Sequence, residues 1–177
     1  MRQLKYLFLL VLALAPFRAS AQELIKNGDF ELNSRVERGT SATTGWNSRK
    51  PVVVVYVDPI SADNPHYAVI CCDTFCYEGA DGIDVADSTK YDLSVCLRNI
   101  PAVKAGDRTQ GNKLVIVQLT DEQGNAIAET TIRVKGNEWQ KFNRRFTASA
   151  TCPKARLAII GTGCTKVAID YVSLKKH

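Results

Sequence analysis

Six cysteines and two histidines are the residues here whose types suit metal or covalent chemistry. Three of the cysteines cluster as Cys71-Cys72-x-x-x-Cys76, with His66 five residues before Cys71. A structural zinc site joins a knuckle of this spacing to a second knuckle or to a histidine pair. Cys72 and Cys76 fit one knuckle, but the sequence holds no second one. The other histidine, His177, is terminal. A cysteine nucleophile needs a histidine base and a group that orients it, and this chain supplies them poorly. The cysteines therefore read as a local disulfide or as buried thiols. Gly161-Thr162-Gly163 reads as a hairpin connection, since no helix follows it to receive a phosphate.

The compartment matters for those thiols. Met1 to Ala21 reads as a secretory leader. Arg2 and Lys5 make its positive start, an apolar run reaches Ala15, and Ala19-Ser20-Ala21 is the cleavage signal. The run is shorter than the roughly 20 residues a membrane span requires. The expectation is an exported protein, periplasmic, cell-surface or secreted, in which disulfides persist. Six cysteines allow 15 pairings. Cys71 and Cys72 are strand neighbours pointing to opposite faces. Cys152 and Cys164 flank a predicted strand, too far apart to join each other. Losing Arg2, Lys5 and Arg18 with the leader lowers the formal charge from +5 to +2. That balance gives no electrostatic case for nucleic acid.

The elements that must position any site are strands. Predicted strands cover Val52–Val57, Tyr67–Cys72, Gly82–Val85, Tyr91–Arg98, Leu114–Thr120, Ile127–Val134, Gln140–Phe146, Ala155–Ile160 and Val167–Leu174. In the fourth, Tyr91, Leu93, Val95 and Leu97 share one face. In the last, Val167, Ile169 and Tyr171 share one face and oppose Asp170 and Val172. No sustained helical period occurs. Polar loops at Asn33–Thr44 and Pro101–Asn112 belong on the surface. Short strands at this spacing point to an all-β sandwich or barrel in one domain, residues 22–177.

Several segments recur in a recognisable order. They are Asn27-Gly-Asp-Phe-Glu31, Gly45-Trp46, Asn64-Pro-His-Tyr67, Glu78-Gly-Ala-Asp-Gly-Ile83 and Asp170-Tyr-Val-Ser-Leu174. Together they resemble the galactose-binding-like jelly rolls of the carbohydrate-binding modules. They are most similar to the module near the N-terminus of family 51 α-L-arabinofuranosidases. The resemblance runs from Glu23 to Leu174 and implies a jelly-roll β-sandwich. In those enzymes a catalytic (β/α)₈ barrel follows the last strand, whereas this sequence stops three residues later, at His177. Retaining hydrolysis needs two carboxyl groups about 5–5.5 Å apart, which that barrel supplies.

The resemblance implies two sites. Related modules hold a structural calcium ion where the first strand meets the last. Glu31 and Asp170 match those positions, with backbone oxygens of Asn27 and Asp29 as helpers. Calcium takes six to eight oxygens, so such a set suits it. A sugar site needs aromatic faces for the ring and planar polar groups for its hydroxyls. Tyr56, Tyr67, Phe75 and Tyr77 are the aromatics not assigned to core, and Arg98 and Gln118 are the nearby polar groups. The carbohydrate-binding candidates are Tyr56, Phe75, Tyr77, Arg98 and Gln118. Trp46 and Trp139 sit at framework positions and read as core.

The expected function is non-catalytic binding of polysaccharide or oligosaccharide, best matched to arabinose-containing plant cell-wall polymers. A glycoside hydrolase partner would be held near the polymer. Two alternatives stay open: a truncated α-L-arabinofuranosidase, and a structural sandwich without ligand.

Overall fold

A computed structural model of the chain describes residues 21–32, 45–48, 53–55, 59–100, 114–162 and 166–177. Residues 1–20 of the expected leader, the two loops expected on the surface, Tyr56 and Cys164 lie outside the described residues.

Every named element is a strand. In chain order they are β1 (Trp46–Ser48), β2 (Val53–Val55), β3 (Tyr67–Cys71), β4 (Thr74–Tyr77), β5 (Ile83–Val85) and β6 (Lys90–Asn99). Then follow β7 (Leu114–Thr120), β8 (Ala126–Arg133), β9 (Gln140–Thr147), β10 (Cys152–Gly161) and β11 (Lys166–Lys176). They form two antiparallel sheets. One has the order β1-β4-β10-β7-β8, with β5 also paired to β10. The other has five strands in the order β2-β3-β11-β6-β9. The all-β sandwich expected from the strand spacing is what forms.

Period-two alternation explains the layering. In β6, Tyr91, Leu93, Val95 and Leu97 are buried on the inner face, as their alternation requires. In β7, Val115, Val117 and Leu119 do the same from the opposite sheet. One end of the core is aromatic. Trp46 stacks on Phe75 at 4.6 Å, and Phe30 and Tyr77 each meet Trp46 at 5.3 Å. The polar tips of this cluster are satisfied. Trp46 Nε1 donates to the Asn27 carbonyl at 3.0 Å, and the Lys26 amide donates to the Tyr77 hydroxyl at 3.1 Å.

Strand β11 departs from simple alternation. It pairs with β6 from Val167 to Lys176, but the register shifts between Asp170 and Ser173. Two steps along β6 correspond there to three along β11, which is a β-bulge. The extra residue inverts the parity. Val172 and Leu174 are buried, and Tyr171 turns outward. The expectation that Tyr171 shares the face of Val167 and Ile169 is therefore corrected.

The N-terminal segment packs along the same strand. Glu23 bridges to Lys175, the Leu24 amide donates to Leu174 O, and the Val172 amide donates to Gly28 O, the last two at 2.8 Å. Gly28 sits so close that a Cβ there would lie 1.8 Å from Val172 O.

Candidate functional site

The five-stranded sheet carries a groove of about 850 Å³ on its outer face. Its floor comes from the outward residues of β6, Asp92, Ser94 and Cys96. On one side β9 contributes Lys141 and Asn143, paired with Cys96 and Ser94. On the other side β11 contributes Tyr171, Ser173 and Lys175. Ser94 and Asn143 are hydroxyl and amide groups of the kind that bind sugar hydroxyls, while the Ser173 hydroxyl beside them donates to Glu23 Oε2. The ring of Tyr171 is 42% exposed, the largest exposed aromatic among the described residues. It offers the flat apolar face a sugar ring needs.

The backbone of Tyr171 is left-handed, with φ 47°. For a bulky residue that conformation is an outlier held by its surroundings. Here the Tyr171 amide donates to Asp170 Oδ1 at 2.7 Å. The other oxygen, Asp170 Oδ2, accepts from Asn64 Nδ2 at 2.8 Å. Asp170 is fully buried. Burial pushes its carboxyl up to about 7, opposed by the bonds from Tyr171 and Asn64 and assisted by the charges of Asp29 and Glu31. Burial likewise raises the Cys96 thiol on the groove floor, with Asp170 adding to the rise.

Glu31 lies near Asp170 but is already occupied. Its Oε1 accepts the His66 amide at 2.9 Å, and its Oε2 sits 2.6 Å from His66 Nδ1. The Asn27 carbonyl takes the Phe30 amide and Trp46 Nε1. Among the described residues no three His, Cys, Asp or Glu side chains converge as a metal cluster. A cation here would thus lean on Asp170 and on oxygens of the Asn27–Glu31 turn. That demand for backbone oxygens suits calcium and not zinc. The thiols of Cys71, Cys96 and Cys152 form no disulfide.

The residues singled out for sugar binding are scattered. Phe75 and Tyr77 are 1% and 3% exposed and belong to the aromatic core, so they have no face to offer a ligand. Their segment is β4, a strand absent from the predicted set. Gln118 lies on β7 of the opposite sheet, where it donates to Glu129 Oε2 at 2.6 Å. Arg98 does lie on the groove's face, two residues beyond Cys96. Its guanidinium sits 5.2 Å from the ring centres of both Tyr67 and Trp139 and donates to the Tyr67 hydroxyl at 2.9 Å. Trp139 packs edge-on to Tyr67 at 5.3 Å on that outer face, outside the core where it was expected. Trp46 is in the core. Tyr171, Asn143 and Lys141 escaped the sequence, because only the bulge and the pairing of β9 reveal where they lie.

Comparison with known proteins begins with two blanks: no family model matches the chain, and no curated protein does. Solved structures do match. The arabinose-bound α-L-arabinofuranosidase MgGH51 superposes with a TM-score of 0.69 at 21% identity, over 87% of this chain and 26% of that one. A family 16 carbohydrate-binding module superposes with a TM-score of 0.58 at 15% identity, over 85% of this chain and 98% of that one. The fold is that of the carbohydrate-binding modules. This chain spans about a quarter of the length of the arabinofuranosidase it matches. The same sandwich also serves the Stig cyclase Fisc from Fischerella sp. TAU, with a TM-score of 0.61 at 16% identity over 89% of this chain and 98% of that one. Function must therefore come from the site and not from the fold.

Proposed function

We propose that this protein is a non-catalytic carbohydrate-binding module, exported by its leader, with the groove on the five-stranded sheet as its binding site. The observation that carries the reading is the exposed Tyr171 ring, held outward by the β11 bulge beside Ser94, Asn143 and Ser173. An aromatic platform beside hydroxyl and amide groups suits a sugar ring and its substituents. The module fold of its structural relatives supports the same reading. Arabinose-containing cell-wall polysaccharide is the ligand the sequence resemblance favours. A glycoside hydrolase is the partner such a module would serve.

Binding without cleavage is the reading proposed for this groove. Glycoside cleavage needs a pair of carboxyl groups. Among the described residues lining the groove, Asp92 is the one carboxylate, and Arg145 holds it through two bonds of 2.6 and 3.0 Å. Affinity electrophoresis through arabinoxylan and arabinan gels tests the proposal. Retarded migration that disappears in Tyr171→Gly is the expected outcome. Unaltered migration on every neutral and acidic glycan would overturn it.

We also propose a structural calcium ion at Asp170, with Glu31 the second carboxylate that would hold it once it gives up its contact with the His66 ring. It would neutralise a buried carboxylate that now meets the charges of Asp29 and Glu31. Thermal melting with calcium and with chelator is the check. A melting temperature raised by calcium in the native protein, and unmoved in Asp170→Asn, supports the ion. Equal melting in both conditions contradicts it.

A further inference from the structure

The groove's charge says which glycan it fits. Four cationic residues line it, Lys141, Arg144, Arg145 and Lys175, against the single carboxylate of Asp92. That carboxylate is already neutralised. Arg145 binds both of its oxygens, and His177 Nδ1 lies 3.1 Å from one of them. Arg145 holds Asp92 below the usual carboxylate range. Among the described residues, Lys141, Arg144 and Lys175 make no ion pair. Arg144 lies over the Phe142 ring and donates to the Asn143 carbonyl, which leaves its positive charge unbalanced.

We infer that the polymer bound in this groove is an acidic one, bearing carboxylate groups at intervals along its chain, as a uronic-acid-substituted hemicellulose does. The inference rests on the carbohydrate-binding reading and names the ligand class for that site. Three observations carry it.

First, the cations stand on both banks. Lys141 is on β9 and Lys175 on β11, the two strands that flank β6. Second, they are spread out. Lys141 pairs opposite Cys96 and Lys175 opposite Asp92, four residues apart on β6. That offset is about 13 Å along the groove at 3.3 Å per residue. One small acid cannot meet both; a polymer with repeated acidic substituents can. Third, the cations are local and not a general property of the chain. Leader removal leaves only +2 over the whole protein, so three unpaired cations in one groove are a concentration of charge. Lysines on an edge strand commonly guard it against pairing with another chain, and β9 is an edge. Lys175 has no such duty, because β6 pairs with β11 on one side there and the N-terminal segment covers the other, Glu23 bridging to Lys175 and the Leu24 amide donating to Leu174 O.

The cations are exposed, so each contact contributes modestly, about threefold in affinity. Two such contacts amount to about tenfold in affinity. Their effect falls as salt shortens the screening length.

The test compares glucuronoxylan with the same polymer after its carboxyl groups are reduced to alcohols. Calorimetry is run at about 0.15 M and about 1 M salt, where the screening length drops from about 8 to about 3 Å. An oligonucleotide of matched charge is the control. Supporting results are about tenfold tighter binding of the acidic polymer and loss of that preference in high salt. The preference should also vanish in Lys141→Ala/Lys175→Ala. Equal affinity for the two polymers overturns the inference while leaving carbohydrate binding in place. Binding of neither polymer overturns the inference, and together with unaltered migration in arabinoxylan and arabinan gels it overturns the carbohydrate-binding reading as well. Binding of the oligonucleotide as tightly as glucuronoxylan overturns a glycan-specific site. The salt comparison needs no variant, so a misfolded mutant would not remove the test.

Discussion

Tyr171 combines a costly backbone with an exposed ring. A left-handed conformation in a non-glycine residue costs about 1–3 kcal/mol. Little core packing offsets it, since the ring is turned to solvent. Tyr171→Gly relieves that cost and removes the aromatic platform together. Glycine adds back about 0.5–1 kcal/mol of unfolded-state entropy. The expected outcome is a melting temperature equal to or above that of the native protein, with glycan affinity reduced about five- to tenfold. Calorimetric titration beside thermal denaturation separates the two effects. A variant that melts early and still binds would place the ring in a structural role.

Asp170 sets a pH dependence with a definite sign. Its folded carboxyl is raised from the usual 3.8 to about 7. The folded state therefore holds this proton more tightly than the unfolded chain does. The associated stability is complete below about pH 4 and declines until the pH passes about 7. In chelator, melting temperature should fall across that interval, and Asp170→Asn should flatten the fall. A profile that rises between pH 4 and 7 in the native protein and is unchanged in the variant would contradict this. The burial of Asp170 was not legible in the sequence. What the resemblance implied was its nearness to Glu31, through the segments Asn27-Gly-Asp-Phe-Glu31 and Asp170-Tyr-Val-Ser-Leu174, although as a meeting of two strands and not of a turn with β11.

Strand β11 is the element on which both sites hang. Its bulge aims Tyr171 at the groove while Asp170 stays under the surface. The Asn27–Gly28 turn locks that bulge, with Gly28 O accepting the Val172 amide. Gly28→Ala would set a methyl 1.8 Å from Val172 O. Overpacking of this kind costs about 1–3 kcal/mol, and backbone atoms yield less readily than side chains. A lowered denaturation midpoint is expected, with reduced glycan binding because the bulge must shift. Unchanged stability would mean that the turn does not bear on β11. Strict alternation made β6 and β7 legible from sequence, since each inward residue follows the last by two. The bulge defeated the same rule in β11: one inserted residue reverses every face beyond it. Strands β1 and β4 were missed because Trp46-Asn-Ser48 and Thr74-Phe-Cys-Tyr77 hold no Val or Ile, whereas the equally short β2 and β5 are marked by theirs. Phe75 and Tyr77 were then left unassigned to the core, when they close one end of it.

At the scale of the whole molecule, the two outer faces of the sandwich differ. The six-stranded sheet carries Gln118, tied to Glu129, and an Arg156–Glu78 contact at 3.6 Å. That face also has a groove of about 630 Å³, lined by Thr74, Gln118, Glu122 and Arg156, with no exposed aromatic among its described lining residues. The five-stranded sheet carries the exposed aromatic ring and the unpaired cations in its groove of about 850 Å³. Among the described residues no helix is long and apolar enough to cross a membrane. The jelly-roll class and its carbohydrate-binding relatives were legible from ordered segments spread along the chain. The working face was not, since it depends on which strands become neighbours across a sheet. Binding by the five-stranded face is open to direct mapping. Amide chemical-shift perturbation on a ¹⁵N-labelled sample titrated with arabinoglucuronoxylan oligosaccharides reads out each strand separately. Shifts concentrated at Ser94, Cys96, Asn143, Tyr171 and Ser173, with Gln118 and Thr74 unmoved, are the expected result. Shifts on the Gln118 and Thr74 face, or none at all, would contradict it.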